Sequence, residues 1–316
     1  MGLKDFKEEV SSDVETILGK DFRIEVTNTQ SVPHASDSGI TFPNLDEKIQ
    51  KCKIIETAVL YIDIRRSTEL NLEHKPQTVA KLYSAFVRAM TQCATYYNGH
   101  VRGIIGDRVM VIFNPSTSFT DAVETAILMN SVAQYVINRH FTKNEVSCGI
   151  GLDYGRMLAT KTGIRRHGAE KHNYRSLVWL GRPANVASKL TDLANKTSYK
   201  TEPVVQEGLY YPLTDQWSWI QQDVPDFFKR VEPTYLNNHL VHINNYFRAC
   251  CLSQKTTGSS TPPILMTEAV YKGYKAANPK ADTIANNWWR SVSISVPGYS
   301  GTVYGGDVIK KAFKDP

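Results

Sequence analysis

The chain has 316 residues, 41% of them apolar and 22% charged, with 37 Lys+Arg against 31 Asp+Glu for a net charge of +6. This is an ordinary soluble balance and ample length for a buried core, in one large or two medium domains. No apolar run approaches the roughly 20 residues that span a bilayer, there is no signal peptide, and no Lys/Arg block marks a nucleic-acid track. Membrane insertion and nucleic-acid binding are therefore not expected. Five cysteines (Cys52, Cys93, Cys148, Cys250, Cys251) without Cys-x-x-Cys spacing fit reduced thiols in a cytoplasm.

In chain order, Phe6, Val10, Val14, Ile17 and Leu18 recur at helical spacing up to Gly19, and Phe22–Val26 alternates as a short strand. Ser31–Pro43 reads as a loop, and this leader, 1–55, is expected to serve packing or dimer support. Val59–Ile64 is an apolar, β-branched run with Asp63 inside it, ending in the polar turn Arg65-Arg66-Ser67-Thr68. A carboxylate there is costly unless a cation pairs with it. Pro76–Tyr97 predicts a helix, with Pro76 in the first turn and Asn98-Gly99 as its stop.

Val101–Ile105 and Val109–Phe113 flank Gly106-Asp107 and predict a hairpin with Asp107 at its tip. Ser118–His140 predicts a second long helix, and Val146–Leu152 and Leu177–Leu180 predict strands. Lys161–Arg175 is a basic loop with Arg165, Arg166, Lys171 and Arg175. Pro183–Asn195 predicts a helix presenting Asn185 and Lys189 one turn apart on one face. Beyond Lys200 the chain turns aromatic, and Ser291–Val296 with Gly301–Val308 predict a closing hairpin.

Four blocks in this order carry a resemblance. They are Tyr61-Ile62-Asp63-Ile64…Thr68, Gly106-Asp107…Phe113, Cys148-Gly149-Ile150-Gly151…Gly155, and Gly181…Asn185-Val186-Ala187-Ser188-Lys189. Together they resemble the catalytic domain of the class III nucleotidyl cyclases, the adenylate and guanylate cyclases. The resemblance implies an α+β fold: a ferredoxin-like cyclase domain, with a central, mostly antiparallel sheet and flanking helices, over 56–200. A C-terminal mixed α/β region, sensor-like or fold-completing, would follow over 201–316.

The implied reaction is attack of the 3′ oxygen of a nucleoside triphosphate on its α-phosphorus, with two Mg²⁺ or Mn²⁺ ions about 3.5–4 Å apart. By resemblance, Asp63, Asp107 and the Ile64 carbonyl hold metal. The amides of the turn after Ile64 hold the β- and γ-phosphates, and Asn185 and Lys189 stabilise the transition state. Lysine in place of the family's arginine at 189 keeps the charge without the bidentate fork. The family brings metal ligands and these catalytic groups from different chains, so a homodimer with interfacial sites is implied, and an arm near the 161–175 loop helps dimerisation.

The departures concern the base. Gly103 stands where adenylate cyclases have a purine-reading lysine, Val178 stands where they have its partner, and Arg108 follows Asp107 where glycine is usual. This pattern resembles the bacterial antiphage pyrimidine cyclases, which make cyclic UMP or cyclic CMP. It implies UTP as the favoured substrate and a separate cyclic-nucleotide-binding effector for the product. Tyr61, two residues before Asp63 and so on the same strand face, and Arg108, whose guanidinium can donate to a pyrimidine carbonyl, are the candidate base readers. A cytidylate cyclase, a purine cyclase with unusual pocket residues and a silent nucleotide-binding sensor remain open alternatives.

Overall fold

The structure is a computed structural model that describes residues 2–141, 146–163, 177–234 and 239–314. The basic side chains Arg165, Arg166, Lys171 and Arg175 lie outside the described residues. The chain opens with α1 (Leu3–Leu18) and β1 (Arg23–Asn28), then β2 (Ile49–Ile64), α2 (Ser67–Glu73) and α3 (Pro76–Tyr96). A hairpin of β3 (His100–Ile105) and β4 (Arg108–Ile112) leads to α4 (Ser118–Val132), β5 (Cys148–Thr160), β6 (Val178–Leu180) and α5 (Arg182–Leu193). The predicted helix 118–140 is α4 continued by a π turn, Ala133–Ile137, and a 3₁₀ turn, Asn138–His140.

After α5 come β7 (Thr197–Tyr211), β8 (Gln216–Asp223), α6 (Val224–Phe228), β9 (Val231–Pro233), β10 (Leu240–His242) and β11 (Phe247–Ser260). The chain ends through β12 (Ile264–Thr267), α7 (Glu268–Ala277), α8 (Asp282–Ala285), β13 (Arg290–Val292) and β14 (Val303–Gly306).

One sheet runs β13-β14-β12-β5-β2-β4-β3, with β1 beside the first half of β2 and β6 beside the end of β5. Its pairings are antiparallel except β1 with β2 and β12 with β5. The run Ala58–Ile64 is buried because both faces of β2 are covered. Ala58, Leu60, Ile62 and Ile64 join Leu82, Phe86 and Met90 of α3 and Ala122 and Ala126 of α4 in one core. Val59 and Tyr61 turn to the other face, against Ala184 and Ala187 of α5. Strand β2 begins ten residues before the predicted run because Gln50 and Cys52 face inward while Lys51 faces water, an alternation that an apolar-run reading passes over.

The contacts divide the chain differently from the 56–200 and 201–316 boundary. Residues through Lys196 group with those from Thr261 onward, and Thr197–Ser260 form a second unit. The reason is β12: all four of its residues are buried, and it lies between β5 and β14 in the main sheet. The second unit is an antiparallel sheet β11-β7-β8 with a β9–β10 ribbon, and it carries a buried Glu207 that accepts from Gln222 and Arg230. In the leader, α1 buries none of its residues.

Candidate active site

Strand β2 runs antiparallel to β4 with Tyr61 opposite Met110 and Ile62 opposite Val109. Continuing that register sets Asp63 beside Arg108 and Ile64 beside Asp107. Two local features build the corner. Gly106 takes φ +62° at the hairpin tip, and Arg66 takes φ 57° where β2 turns into α2. The Ile64 amide donates to Asp107 Oδ2 at 3.1 Å, so the tip is tied to the end of β2. Of the turn amides, that of Arg65 donates to Ser147 O. The amides of Arg66, the N-cap of α2, and of Ser67 and Thr68 in its first turn remain as the candidate phosphate donors.

Arg108 is the hub. Its Nε and Nη2 both donate to Asp63 Oδ2, at 3.3 and 2.6 Å. Nη1 donates to Ser188 Oγ at 2.9 Å, and Nη2 also donates to Asp192 Oδ1. The side chains of Asp63 and Arg108 are only 18% and 26% exposed, which screens the pair less than a surface pair. Helix α5 is held against β2 by further bonds. Arg65 donates to the carbonyls of Thr191 and Asp192, and Thr191 Oγ1 donates to Tyr61 O at 3.2 Å. The Gly149…Gly151 spacing makes this approach possible: a Cβ at Gly151 would overlap the Ala187 carbonyl, and one at Gly149 the Thr191 carbonyl.

The single chain thus brings Asp63, Asp107 and Arg108 together. It does not add the two catalytic candidates to them. Asn185 is exposed on α5, and Lys189 Nζ donates to Pro297 O at 3.2 Å. Among the described residues, no hydrogen bond or ion pair joins either to Asp63 or Asp107. Tyr61 Oη lies 3.1 Å from Met110 Sδ, and burial raises its phenol pKa. Gly103, beside a bulge in β3, faces Met110 and lines a cavity of about 420 Å³ with His34, Ala35, Val101, Arg102, Ile104 and Leu177. Val178, next to Leu177, pairs with Thr160 in the sheet.

Sequence reasoning missed Ser188, Asp192 and Arg65. Positions 185, 188, 189 and 192 follow one helical stripe, so the first two were legible as neighbours of the catalytic candidates. Their partner was not, because it arrives from a hairpin about 80 residues earlier.

The carboxylate pair fits a hard divalent ion. Burial, and then the like charge of Asp63, push Asp107 up to about 6. Two oxygen donors that repel each other in this way favour a cation between them. Among the described residues no cluster of three His, Cys, Asp or Glu surrounds the pair, so further ligands would come from main chain, water or phosphate.

Residues 49–214 match the adenylate and guanylate cyclase catalytic domain. The chain belongs to that family and is a nucleotide cyclase. A uridylate cyclase of Burkholderia cepacia is 29% identical over 195 residues, 60% of this chain and 78% of that protein. A uridylate cyclase of Xanthomonas perforans is 27% identical over 252 residues, 78% of this chain and 98% of that protein. Among solved structures, the adenylyl cyclase CyaB of P. aeruginosa aligns at 16% identity and a TM-score of 0.47, covering 80% of this chain and 94% of that one. The guanylyl cyclase Cya2 aligns at 11% identity and a TM-score of 0.47, covering 82% of this chain and 94% of that one. No helix among the described residues is long and apolar enough to cross a membrane.

Proposed function

We propose that this cyclase converts UTP to 3′,5′-cyclic UMP and pyrophosphate, in a homodimer whose sites lie between the chains. The observation that carries the reading is the Asp63–Asp107 pair at one corner of the sheet, with Gly103 and Val178 where purine cyclases place their base-reading groups. The uridylate cyclases among its relatives support the choice of uracil.

Asp63 and Asp107 would hold the divalent ions, Mg²⁺ or Mn²⁺, with the Ile64 carbonyl as a further ligand. When bound, such ions neutralise the triphosphate and acidify the attacking 3′ hydroxyl. The α2 amides orient the β- and γ-phosphates. Asn185 and Lys189, exposed or half-exposed on α5, serve the site whose aspartates belong to the second chain. A cation on a flexible stem at 189 can follow the α-phosphate as charge builds on it. Base selection falls to Tyr61 and, once Asp63 has released it, Arg108, since a site without purine-edge partners leaves a purine's polar groups unpaired. The product acts as a cytoplasmic second messenger in antiphage defence, read by a separate cyclic-nucleotide-binding effector.

The test is to incubate the purified chain with each of the four ribonucleoside triphosphates and Mn²⁺, and to identify any cyclic product. Cyclic UMP as the main product is expected. Cyclic CMP or a cyclic purine nucleotide would overturn the uracil assignment, and nucleotide binding without any product would make the chain a sensor.

A further inference from the structure

Arg108 Nη2 is shared by two carboxylates, Asp63 Oδ2 on the sheet and Asp192 Oδ1 on α5. Ser188 Oγ fixes the other arm of the guanidinium from the same helix. Arg65, the other cation beside Asp63, donates through its Nη atoms to α5 carbonyls, so it neutralises Asp63 only through space. The guanidinium of Arg108 therefore sits on one oxygen of the carboxylate that a divalent ion at Asp63 would need.

We propose that Arg108 is a resident cation on Asp63, and that Asp192 is the positioning residue that receives it when a divalent ion takes its place. This rests on the reading of Asp63 as a metal ligand. The physical argument is competition between two cations for one carboxylate. A guanidinium and a divalent ion on the same carboxylate repel each other, and Arg108 already gives Asp63 Oδ2 two of its nitrogens, so the ion binds more tightly as Arg108 leaves. A displaced guanidinium with no partner would stand as an uncompensated, partly buried charge. Asp192 already shares the same nitrogen, so the side chain can release Asp63 and keep a carboxylate, with Ser188 holding its orientation. Helix α5 thereby sets how readily the metal site opens, although none of its residues ligates the ion.

The experiment is Mn²⁺ binding to the full chain without nucleotide, followed by electron paramagnetic resonance of free Mn²⁺. Arg108→Ala should tighten binding by at least about 10-fold, equivalent to about 1.4 kcal/mol. Asp192→Asn, which keeps the shape and removes the charge, should weaken it several-fold. The double variant should match Arg108→Ala alone, because Asp192 acts only through the guanidinium. Thermal melts of each variant report whether the fold is kept.

Equal Mn²⁺ affinity in Arg108→Ala and the parent would overturn the proposal. So would an Asp192→Asn effect that persists without Arg108, since Asp192 would then act on the ion directly. Asp63→Asn separates the two readings. If it leaves Mn²⁺ affinity unchanged, the metal site itself is wrong; if it abolishes binding while Arg108→Ala changes nothing, only the resident-cation proposal fails.

Discussion

Arg108 gives two of its nitrogens to a single oxygen of Asp63, at 3.3 and 2.6 Å, while the Asp107 carboxylate beside it accepts from the Ile64 amide. The two aspartates of the site are thus in different states. Asp63 is paired with a cation, whereas Asp107 is raised to about 6 by burial and by its neighbour's charge.

A pH dependence follows, and its sign is fixed by the direction of the shift. Asp107 binds its proton more tightly folded than unfolded, where a carboxyl of this type titrates near 3.8. Its stabilising contribution is therefore complete below about 4 and is lost as pH rises through about 6. Metal binding runs the other way, since a ligand must lose its proton first. Mn²⁺ affinity should climb up to about pH 6 and then level off. An NMR titration of the Asp107 carboxyl should show its midpoint fall in Asp63→Asn, where the like charge is gone. An unchanged midpoint would mean that Asp63 does not act on it.

Asp63→Ala and Asp107→Ala should each lower kcat by about 100-fold or more, because each removes several kcal/mol of charge stabilisation from the transition state. Circular dichroism should stay at the parent spectrum. Near-normal turnover in either variant would remove it from the metal site.

Mixing an Asp107→Ala chain with an Asn185→Ala chain tests where the catalytic groups act. If α5 serves the partner's aspartates, half of randomly mixed dimers are heterodimers, each with one intact site, and about a quarter of parental activity should return. No recovery, with heterodimers shown by native mass spectrometry, would place all the groups within one chain.

The Tyr61 hydroxyl faces Met110 Sδ at 3.1 Å, and a thioether is a weak acceptor, so that oxygen is available for a stronger partner. Tyr61→Phe should lower kcat/KM for UTP by about 3- to 10-fold, the worth of one neutral hydrogen bond, with little change in Tm. Loss of Tm with unchanged kcat/KM would instead make Tyr61 a packing residue.

Gly151 carries a stability prediction. A Cβ there would overlap the Ala187 carbonyl, and backbone cannot swing aside as a side chain can. Gly151→Ala should cost about 2 kcal/mol or more and lift α5 from β5. A melting temperature within a degree or so of the parent would show that α5 does not sit as closely as described.

By itself the sequence determined the corner that holds the aspartates. The run Val59–Ile64, the Gly106-Asp107 tip and the amphipathic spacing of 76–97 each encode local geometry, so strand, helix and hairpin could be placed from neighbours in the chain. The family blocks added the roles expected of Asp63, Asp107, Asn185 and Lys189. Tertiary structure decided what depends on distant pairing. Residues 261–314 return to the main sheet because β12 needs β5 and β14 to bury Ile264, Leu265 and Met266, which composition alone does not express. Arg108 read as a side chain free to meet a base. Its partners Asp63, Ser188 and Asp192 come from a strand and a helix far away in the chain, and the β2–β4 register and the glycine-made approach of α5 to β5 bring them to it.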